Sequence, residues 1–287
     1  MLVFIGYVLV FASVIGGFSL GGGHVAVLFQ PMEIIIIVGG AIGAFVAGNS
    51  RKTIKGVGEA IRKSFTGRAA TRTKYTSLIL MMNSILEKIK KEGVNTVESD
   101  VDSPENSPLF KAYPELLEEK QVLEFFTDYL RFMMQPNLNP MEIESLMESE
   151  LDTYKAEKLK PAKALQKVAD GLPAFGIVAA VMGVVHVMGS VGQVSNSELG
   201  QMIAAALVGT FLGILLSYGF VGPLATITDQ KLQESVKQFE CVKVTLLAYM
   251  SGYSPTMACE FGRKVLFSTE RPTFLEMEEE IRSSKRA

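Results

Sequence analysis

Residues 171–228 read GLPAFGIVAAVMGVVHVMGSVGQVSNSELGQMIAAALVGTFLGILLSYGFVGPLATIT and contain one charged side chain, that of Glu198. A bilayer core about 30 Å thick takes about 20 apolar helical residues, so this stretch is long enough to cross a membrane twice. We place one span at about Leu172 to Gly192 and the next at about Leu199 to Thr226.

The N-terminal part of the chain has the same composition. Glu33 is the one charged residue in 1–50, and two further spans fit there, Met1 to about Leu20 and about Met32 to Asn49. The first lacks a basic leading segment and a small-residue cleavage site, so it is expected to be a retained helix rather than a signal peptide. The sequence therefore predicts a polytopic membrane protein with four transmembrane helices.

The remaining charges fall in two blocks, with 19 basic and 19 acidic residues in 51–170 and nine of each in 227–287. Basic residues that flank membrane spans mark the cytoplasmic side. They crowd after the second span, against the single acid Glu59: Arg51, Lys52, Lys55, Arg62, Lys63, Arg68, Arg72 and Lys74. The loops 21–31 and 193–198 have no Lys or Arg. Both termini and the middle block are therefore predicted to be cytoplasmic.

Apolar residues in the middle block recur at helical spacing, which predicts an all-α cytoplasmic region. The two runs are Leu78, Met81, Met82, Ile85, Leu86 and Ile89, and then Leu116, Leu117, Leu123, Phe126, Tyr129, Leu130 and Met133. A further amphipathic helix is expected from Met141 to about Lys158, and a tail helix at about 227–250 continuing the fourth span. The predicted regions are 1–50 and 171–226 in the membrane, and 51–170 and 227–287 in the cytoplasm.

Several classes of function are excluded by what the sequence lacks. The net charge of -2 does not suit a general nucleic-acid binder. No phosphate-binding glycine loop, nucleophile elbow or HExxH motif occurs, so we expect neither an enzyme nor a nucleotide-driven machine. Cys241 and Cys259 have no metal-ligand spacing and are interpreted as reduced structural thiols. No cofactor or metal is expected.

The predicted spans are rich in small residues, which allow helices to approach closely in lipid. Spans three and four contain no Asp, Lys or Arg, and Glu33 and Glu198 are expected at the outer edges of the membrane. His186 is interpreted as a packed residue rather than a relay. Because ion-conducting proteins usually carry an ionisable group at membrane depth, either the chain does not conduct or a partner helix supplies the acid.

Two strings carry a resemblance to a known family, LPAFGIVAAVMG at 172–183 and VGTFLGIL with GPL at 208–224. They resemble the third and fourth membrane helices of MotA-type flagellar stator subunits, in the MotA/TolQ/ExbB proton channel family. Gly6-Tyr7, Gly16-Gly17, Gln30-Pro31 and the tail 260–272 are also similar, so the resemblance covers nearly the whole chain. TolQ and ExbB proteins share the helix pair but have three spans and lack this tail.

The resemblance implies a ring, thought to be pentameric, in the bacterial inner membrane around two helices of a MotB-like partner. The partner would supply an aspartate that binds the permeating ion, and Thr210, facing Ala180, would line the path with Pro173. A Thr210 hydroxyl bonded to its own helix is the structural alternative. Pro173 and Pro223 would couple ion passage to movement. Pro173 is expected near a helix start, where its missing N–H is harmless, and Pro223 within a helix that it could kink.

The resemblance also implies the coupling ion and the rotor contact. Sodium-driven relatives tend to have threonine where this chain has Ala180, so the proton rather than sodium is expected. Lys90 or Lys91 and the acid Glu98 match the charged positions that would meet the rotor protein FliG. Taken alone, these charges are typical of a solvated helix face.

Two alternatives remain open from the sequence. One is a TolQ/ExbB-like energiser that drives envelope processes with proton flow, against which the four spans and the 51–170 block argue. The other is a membrane scaffold that assembles without conducting, which the missing acid permits.

Overall fold

The computed structural model of the chain describes residues 2–66, 72–136 and 138–284. Regular secondary structure in these residues is helical throughout, which confirms the all-α fold class. Arg68, one of the basic residues noted after the second span, lies outside the described residues. The chain divides into two compact units: a membrane unit (residues 1–67 and 158–231) and a globular unit (residues 68–157 and 232–287).

The helices follow one another closely along the chain. In order they are α1 (Leu2–Leu20), α2 (Pro31–Ala47), α3 (Arg51–Thr66), α4 (Arg72–Glu92), α5 (Glu98–Asp102), α6 (Pro108–Lys111), α7 (Pro114–Leu117), α8 (Lys120–Met133), α9 (Pro140–Gly189), α10 (Asn196–Ile214), α11 (Gly222–Met250), α12 (Pro255–Lys264) and α13 (Phe274–Ser284). Short 3-10 helices cover Val25–Leu28 and Val94–Val97, and a π-helical segment covers Leu215–Val221.

In the described part of the chain, four helical stretches are long and apolar enough to cross a membrane, as predicted: Leu2–Leu20, Val25–Ala47, Pro140–Gly189 and Asn196–Met250. α1 has no buried residue, and its large side chains point outward. Such exposure is expected of helices whose solvent is lipid or a neighbouring subunit. The chain is a multi-pass membrane protein.

The third span is part of a single helix of 50 residues, α9, which contains Pro161 and Pro173 in its interior. The sequence predicted one helix ending at about Lys158 and a second beginning near Leu172, so the break between them was wrong. Pro173 is consequently not a helix-start residue, and the loss of its N–H leaves the carbonyl of Ala169, four residues earlier, without its usual donor. The structure supplies another donor to that carbonyl, as described below.

The fourth span continues through the π-helical segment into α11. In this segment the N–H of Gly222 donates to the carbonyl of Ser217, five residues earlier. A π turn places one extra residue in the helix and is typical of functional sites. Pro223 follows at once, so the irregularity expected at this proline is present as a π turn. The predicted continuation of the span to about residue 250 is confirmed.

α4 is the centre of the globular unit, and most of its side chains are buried. All six apolar positions predicted on this helix lie in the main hydrophobic core, together with Phe126 and Leu130 of α8. Leu116 and Leu117 belong to the separate short helix α7, because Pro114 starts one helix and Glu119 precedes the next. The predicted 51–170 region contributes to both units, and its boundaries relative to the bilayer remain predictions.

Candidate functional site

The third and fourth spans touch through their backbones at two glycines. A Cβ atom added to Gly176 would lie 2.8 Å from the carbonyl oxygen of Gly209 and 3.0 Å from the Cα of Gly213. A Cβ added to Gly213 would lie 2.8 Å from the Cα of Gly176. Small residues allow this approach, and here nothing larger than glycine fits. The predicted close packing of α9 on α10 is therefore realised by backbone contact at these two glycines, and the small side chains of Ala179 and Ala206 lie at the neighbouring glycines.

Ala180 and Thr210, the predicted path-lining pair, lie at this helix contact. Gly209 packs directly against Ala180, since a Cβ on Gly209 would lie 3.1 Å from the Ala180 nitrogen. Ala180 is buried and Thr210 is half-buried. The facing of Thr210 toward Ala180 stays a prediction; the described contact joins Ala180 to Gly209, the residue next to Thr210.

The Thr210 hydroxyl has no hydrogen-bond partner among the described residues. Hydroxyls further along the same chain segment, in α11, bond to their own helix: Thr226 donates to the carbonyl of Gly222 and Thr228 to that of Leu224. The structural alternative for Thr210, a hydroxyl bonded to its own helix, is thus not adopted. Its oxygen remains available to a ligand or to a second chain.

The helical turn before Pro173 is joined to the π-helical segment by a hydrogen bond. The hydroxyl of Ser217, 2% exposed, donates to the carbonyl of Ala169 at 2.6 Å. This is the carbonyl that a normal residue at 173 would satisfy. A second hydroxyl, that of Tyr7 in α1, donates at 2.7 Å to Phe220 in the π-helical segment. The Ala169 carbonyl that Pro173 leaves without a donor is therefore satisfied from the fourth span, and the Phe220 carbonyl, three residues before Pro223, accepts from α1. This arrangement was not foreseen from the sequence.

Glu33 makes contacts that the sequence did not predict. Its carboxyl group faces Gly183 of α9 and Gly209 of α10, within one residue of Thr210. Glu33 lies in the first turn of α2, and its contact with glycines of the third and fourth spans was not foreseen from the sequence. It was missed because the stagger of α2 against α10 is a tertiary property. The available signal was that Glu33 is the single charge in the first fifty residues.

The predicted rotor-contact residues lie at one end of α4 and in the short helix after it. Lys90 and Lys91 are in the last turn of α4, and Glu98 begins α5. All three are exposed, and none forms an ion pair with a described residue. α4 is joined to α5 instead by an ion pair of Lys88, whose Nζ lies 2.8 Å from Asp100.

Asp100 is the buried acid of this region and is fully partnered. It accepts hydrogen bonds from Lys88 and from the Ser107 hydroxyl, the latter at 2.7 Å. Burial alone would raise the pKa of Asp100, but these hydrogen bonds and the Lys88 charge hold the pKa below its ordinary value. The pair fixes α5 and the adjoining loop, and it leaves Lys90, Lys91 and Glu98 free for contact with another protein.

Family models and relatives agree on what the chain resembles. The model for the N-terminal part of motility protein A matches residues 4–93, and that for the MotA/TolQ/ExbB proton channel family matches residues 118–241. Motility protein A of Salmonella typhimurium is 47% identical over 283 residues, which cover 99% of this chain and 96% of the relative. The chain belongs to the motility protein A family.

Other members of the motility protein A family show similar agreement. Motility protein A of Escherichia coli is 46% identical, with 99% of this chain and 96% of the relative covered. The chemotaxis protein LafT of Vibrio parahaemolyticus is 34% identical, with 96% of each covered. The resemblance drawn from the two strings in the third and fourth spans is thus confirmed over the whole chain.

Solved structures confirm the fold. The structure of Campylobacter jejuni MotAB includes a chain with a TM-score of 0.77 at 17% identity, covering 95% of this chain and 98% of that one. The flagellar MotAB stator complex of Bacillus subtilis gives a TM-score of 0.69 at 24% identity, covering 90% and 92%. Both likenesses show the fold of the chain.

Proposed function

We propose that this chain is a flagellar stator subunit that forms a proton-conducting path with a MotB-like partner and converts proton flow into torque. The observation that carries the proposal is the α9–α10 pair, whose backbones touch at Gly176 and Gly213 while its outer faces stay uncovered. Relatives at 46–47% identity that are named motility protein A support it.

The uncovered faces support assembly around a partner. On α9, Ile177, Val181 and Val185 follow one another four residues apart and are each more than half exposed. Leu207 of α10 is 60% exposed. Apolar side chains at helical spacing suit lipid or a neighbouring helix, and a rigid pair of this kind suits the wall of a ring. We infer a homo-oligomer, a pentamer in the family pattern, around helices of a MotB-like protein.

The ion-binding acid is proposed to come from the partner, as an aspartate opposite Thr210. The third and fourth spans supply a free hydroxyl at Thr210 and the small residue Ala180, and no Asp within residues 171–228. An Asp at the centre of a membrane helix costs about 2.5–3.5 kcal/mol on insertion scales, so it needs a polar neighbour. The Thr210 hydroxyl is that neighbour.

The coupling ion is proposed to be the proton. A sodium ion requires several oxygen ligands, whereas a proton requires only one carboxylate. Ala180 contributes no side-chain oxygen beside Thr210, which supports a proton path. One elementary charge crossing 100 mV releases about 2.3 kcal/mol, enough to bias a conformational step of the ring.

Movement is proposed to pass through Pro173 and Pro223 to the charged surface of the globular unit. Both prolines lie beside carbonyls held by hydroxyls of neighbouring helices, a bonding pattern that can exchange without breaking a helix. Lys90 or Lys91 and Glu98 are proposed to meet FliG on the rotor. The basic residues after α2 support an inner-membrane location with both termini in the cytoplasm.

The deciding experiment is a proton-leak assay in cells that express this chain alone and then with its candidate MotB-like partner lacking any plug segment. We expect leak only when both are present, and its loss when the partner's aspartate is replaced by asparagine. Motility should survive removal of external sodium and disappear with a protonophore. Leak from this chain alone, or strict sodium dependence, would contradict the proposal.

A further inference from the structure

Glu33 is an ionisable residue whose carboxyl group lies against glycines of both α9 and α10. It lies in the first turn of α2, two residues after the proline that starts the helix. At Gly183 an added Cβ would lie 3.4 Å from Oε1 of Glu33, and at Gly209 it would lie 2.8 Å from Oε2. The carboxyl group therefore occupies space that these two glycines leave open.

The position of Glu33 is deep relative to the helices around it. Gly209 lies thirteen residues beyond the start of α10 at Asn196, which is about 20 Å along a helix that rises about 1.5 Å per residue. Gly183 lies six residues before the end of α9, or about 9 Å. α2 begins below the outer ends of both helices, so a first-turn residue of α2 reaches the level of Ala180 and Thr210.

No cation balances this carboxyl group. Residues 171–197 and 199–228 contain no Lys or Arg, and neither does 1–50. Within 1–50 and 171–228 the other titratable groups are Tyr7, which donates to Phe220, and four exposed residues: His24 before the first 3-10 helix, His186 on α9, Glu198 at the start of α10 and Tyr218 in the π-helical segment. None of them forms a hydrogen bond or ion pair with Glu33 in the described residues.

One carboxyl oxygen of Glu33 is buried without a hydrogen-bond partner. This is Oε2, the atom that faces Gly209. Glu33 as a whole is half-buried, but an ionised carboxylate whose buried oxygen has neither a counter-ion nor a donor is costly, and taking up a proton stabilises such a group. Simple packing would favour an apolar side chain here, since a carboxyl group adds nothing to the contact between helices.

We propose that Glu33 is a second proton-binding site of the stator, contributed by this chain, on the outer side of the path. In each passage the Glu33 carboxylate takes a proton from hydronium, which leaves as water, and then releases that proton to the next acceptor along the path. The proposal rests on the proposed function, because it requires that protons move between the helices.

Conduction tests the relay in the complex with the plug-less MotB-like partner. Glu33→Gln keeps the size of the side chain, but its amide cannot take up and release a proton. It should lower the leak about tenfold, a small part of what a positioned proton-transfer group can contribute. Glu33→Asp should retain much of the leak. The matched control is Glu198→Gln, an exposed acid at the start of α10, which should leak like the wild type.

A second measurement does not depend on conduction. A hydrophobic carbodiimide modifies carboxyl groups that hold a proton in an apolar site, so in the purified wild-type complex Glu33 should be labelled faster than Glu198. Mass spectrometry of the two peptides gives the ratio, and labelling of Glu33 should slow as pH rises. Because the labelling experiment uses the wild-type complex, it still tests the proposal if the Glu33→Gln complex fails to assemble.

The outcomes separate the two proposals. A wild-type complex without leak contradicts the proposed function, whereas a leaking wild type matched by Glu33→Gln contradicts the relay alone. Labelling of Glu33 no faster than that of Glu198 also overturns the inference. Reduced leak in Glu33→Gln, retained leak in Glu33→Asp and selective labelling together support it.

Discussion

Glu33 in the membrane unit and Asp100 in the globular unit are acids packed among helices, and the structure treats them in opposite ways. Asp100 receives hydrogen bonds from Lys88 and Ser107, whereas Oε2 of Glu33 receives none. The two units also differ in their packing. Glycines face Glu33, whereas the unit that contains Asp100 has a core of large side chains around α4. A carboxyl group with a structural role is fully partnered, and one left unpartnered is available for chemistry.

The largest effect is expected at Gly176, where α9 touches the backbone of α10 at Gly209, one of the two glycines that face Glu33. Gly176→Ala places a Cβ 2.8 Å from a backbone oxygen of α10, which cannot move aside as a side chain can. Overpacking of this kind costs about 1–3 kcal/mol or more, so motility should be lost and the complex should dissociate in detergent. Swarming and size-exclusion chromatography measure both.

The control for this substitution lies on the same helix. Gly171 has open space where its Cβ would go, so Gly171→Ala should assemble and swarm like the wild type. Equal behaviour of the two alanine variants would show that the membrane unit tolerates side chains at the α9–α10 contact, and the contrast with the globular core would then fail.

A smaller effect is expected at Asp100. Asp100→Asn removes charge-assisted hydrogen bonds worth about 1.5–3 kcal/mol, so amide hydrogen exchange in α5 should become faster by the corresponding factor. Asp102→Asn is the control, because Asp102 makes an exposed ion pair with Arg131 at 3.2 Å and such pairs contribute about 0–1 kcal/mol.

The pH dependence of Asp100 follows from the direction of its shift. Its folded pKa is lowered, so the stabilisation is present above the unfolded pKa of about 4 and is lost as pH falls through the still lower folded value. Protection of α5, corrected for intrinsic exchange, should be constant from neutral pH to about pH 5 and decline below pH 4. Protection that declines already between pH 7 and 5 would contradict the assignment.

The four spans and the buried face of α4 could be predicted from the sequence because both depend on local patterns. Charge segregation locates a membrane helix, and the spacing from Leu78 to Ile89 locates a buried helix face. The depth of Glu33 and the packing of Gly209 on Ala180 depend on how helices are staggered, which no single helix encodes. Roles at Thr210, Lys90 and Glu98 come from the family resemblance and stay predictions.

Pro173 was misplaced for a related reason. A proline favours a helix start locally, yet here α9 runs through it. The compensation comes from Ser217, 48 residues away from the Ala169 carbonyl that it satisfies. A local rule cannot anticipate a donor supplied by another helix, and this hydrogen bond gives the last prediction.

Ser217→Ala should destabilise the assembled complex slightly, since hydrogen bonds between membrane helices contribute about 0.6 kcal/mol on average and at most about 1.7. Thr226→Ala is the control, because Thr226 donates to its own helix and is exposed. The sharper test adds Pro173→Ala, which restores an N–H that can donate to Ala169. Thermal melting is measured for four complexes: the wild type, Ser217→Ala, Pro173→Ala and the double variant. Ser217→Ala should lower the stability less in the Pro173→Ala background than in the wild type, a non-additivity that a double-mutant cycle isolates. Equal costs in both backgrounds would mean that the hydroxyl does not replace the donor missing at Pro173, and the π-helical segment would need another explanation.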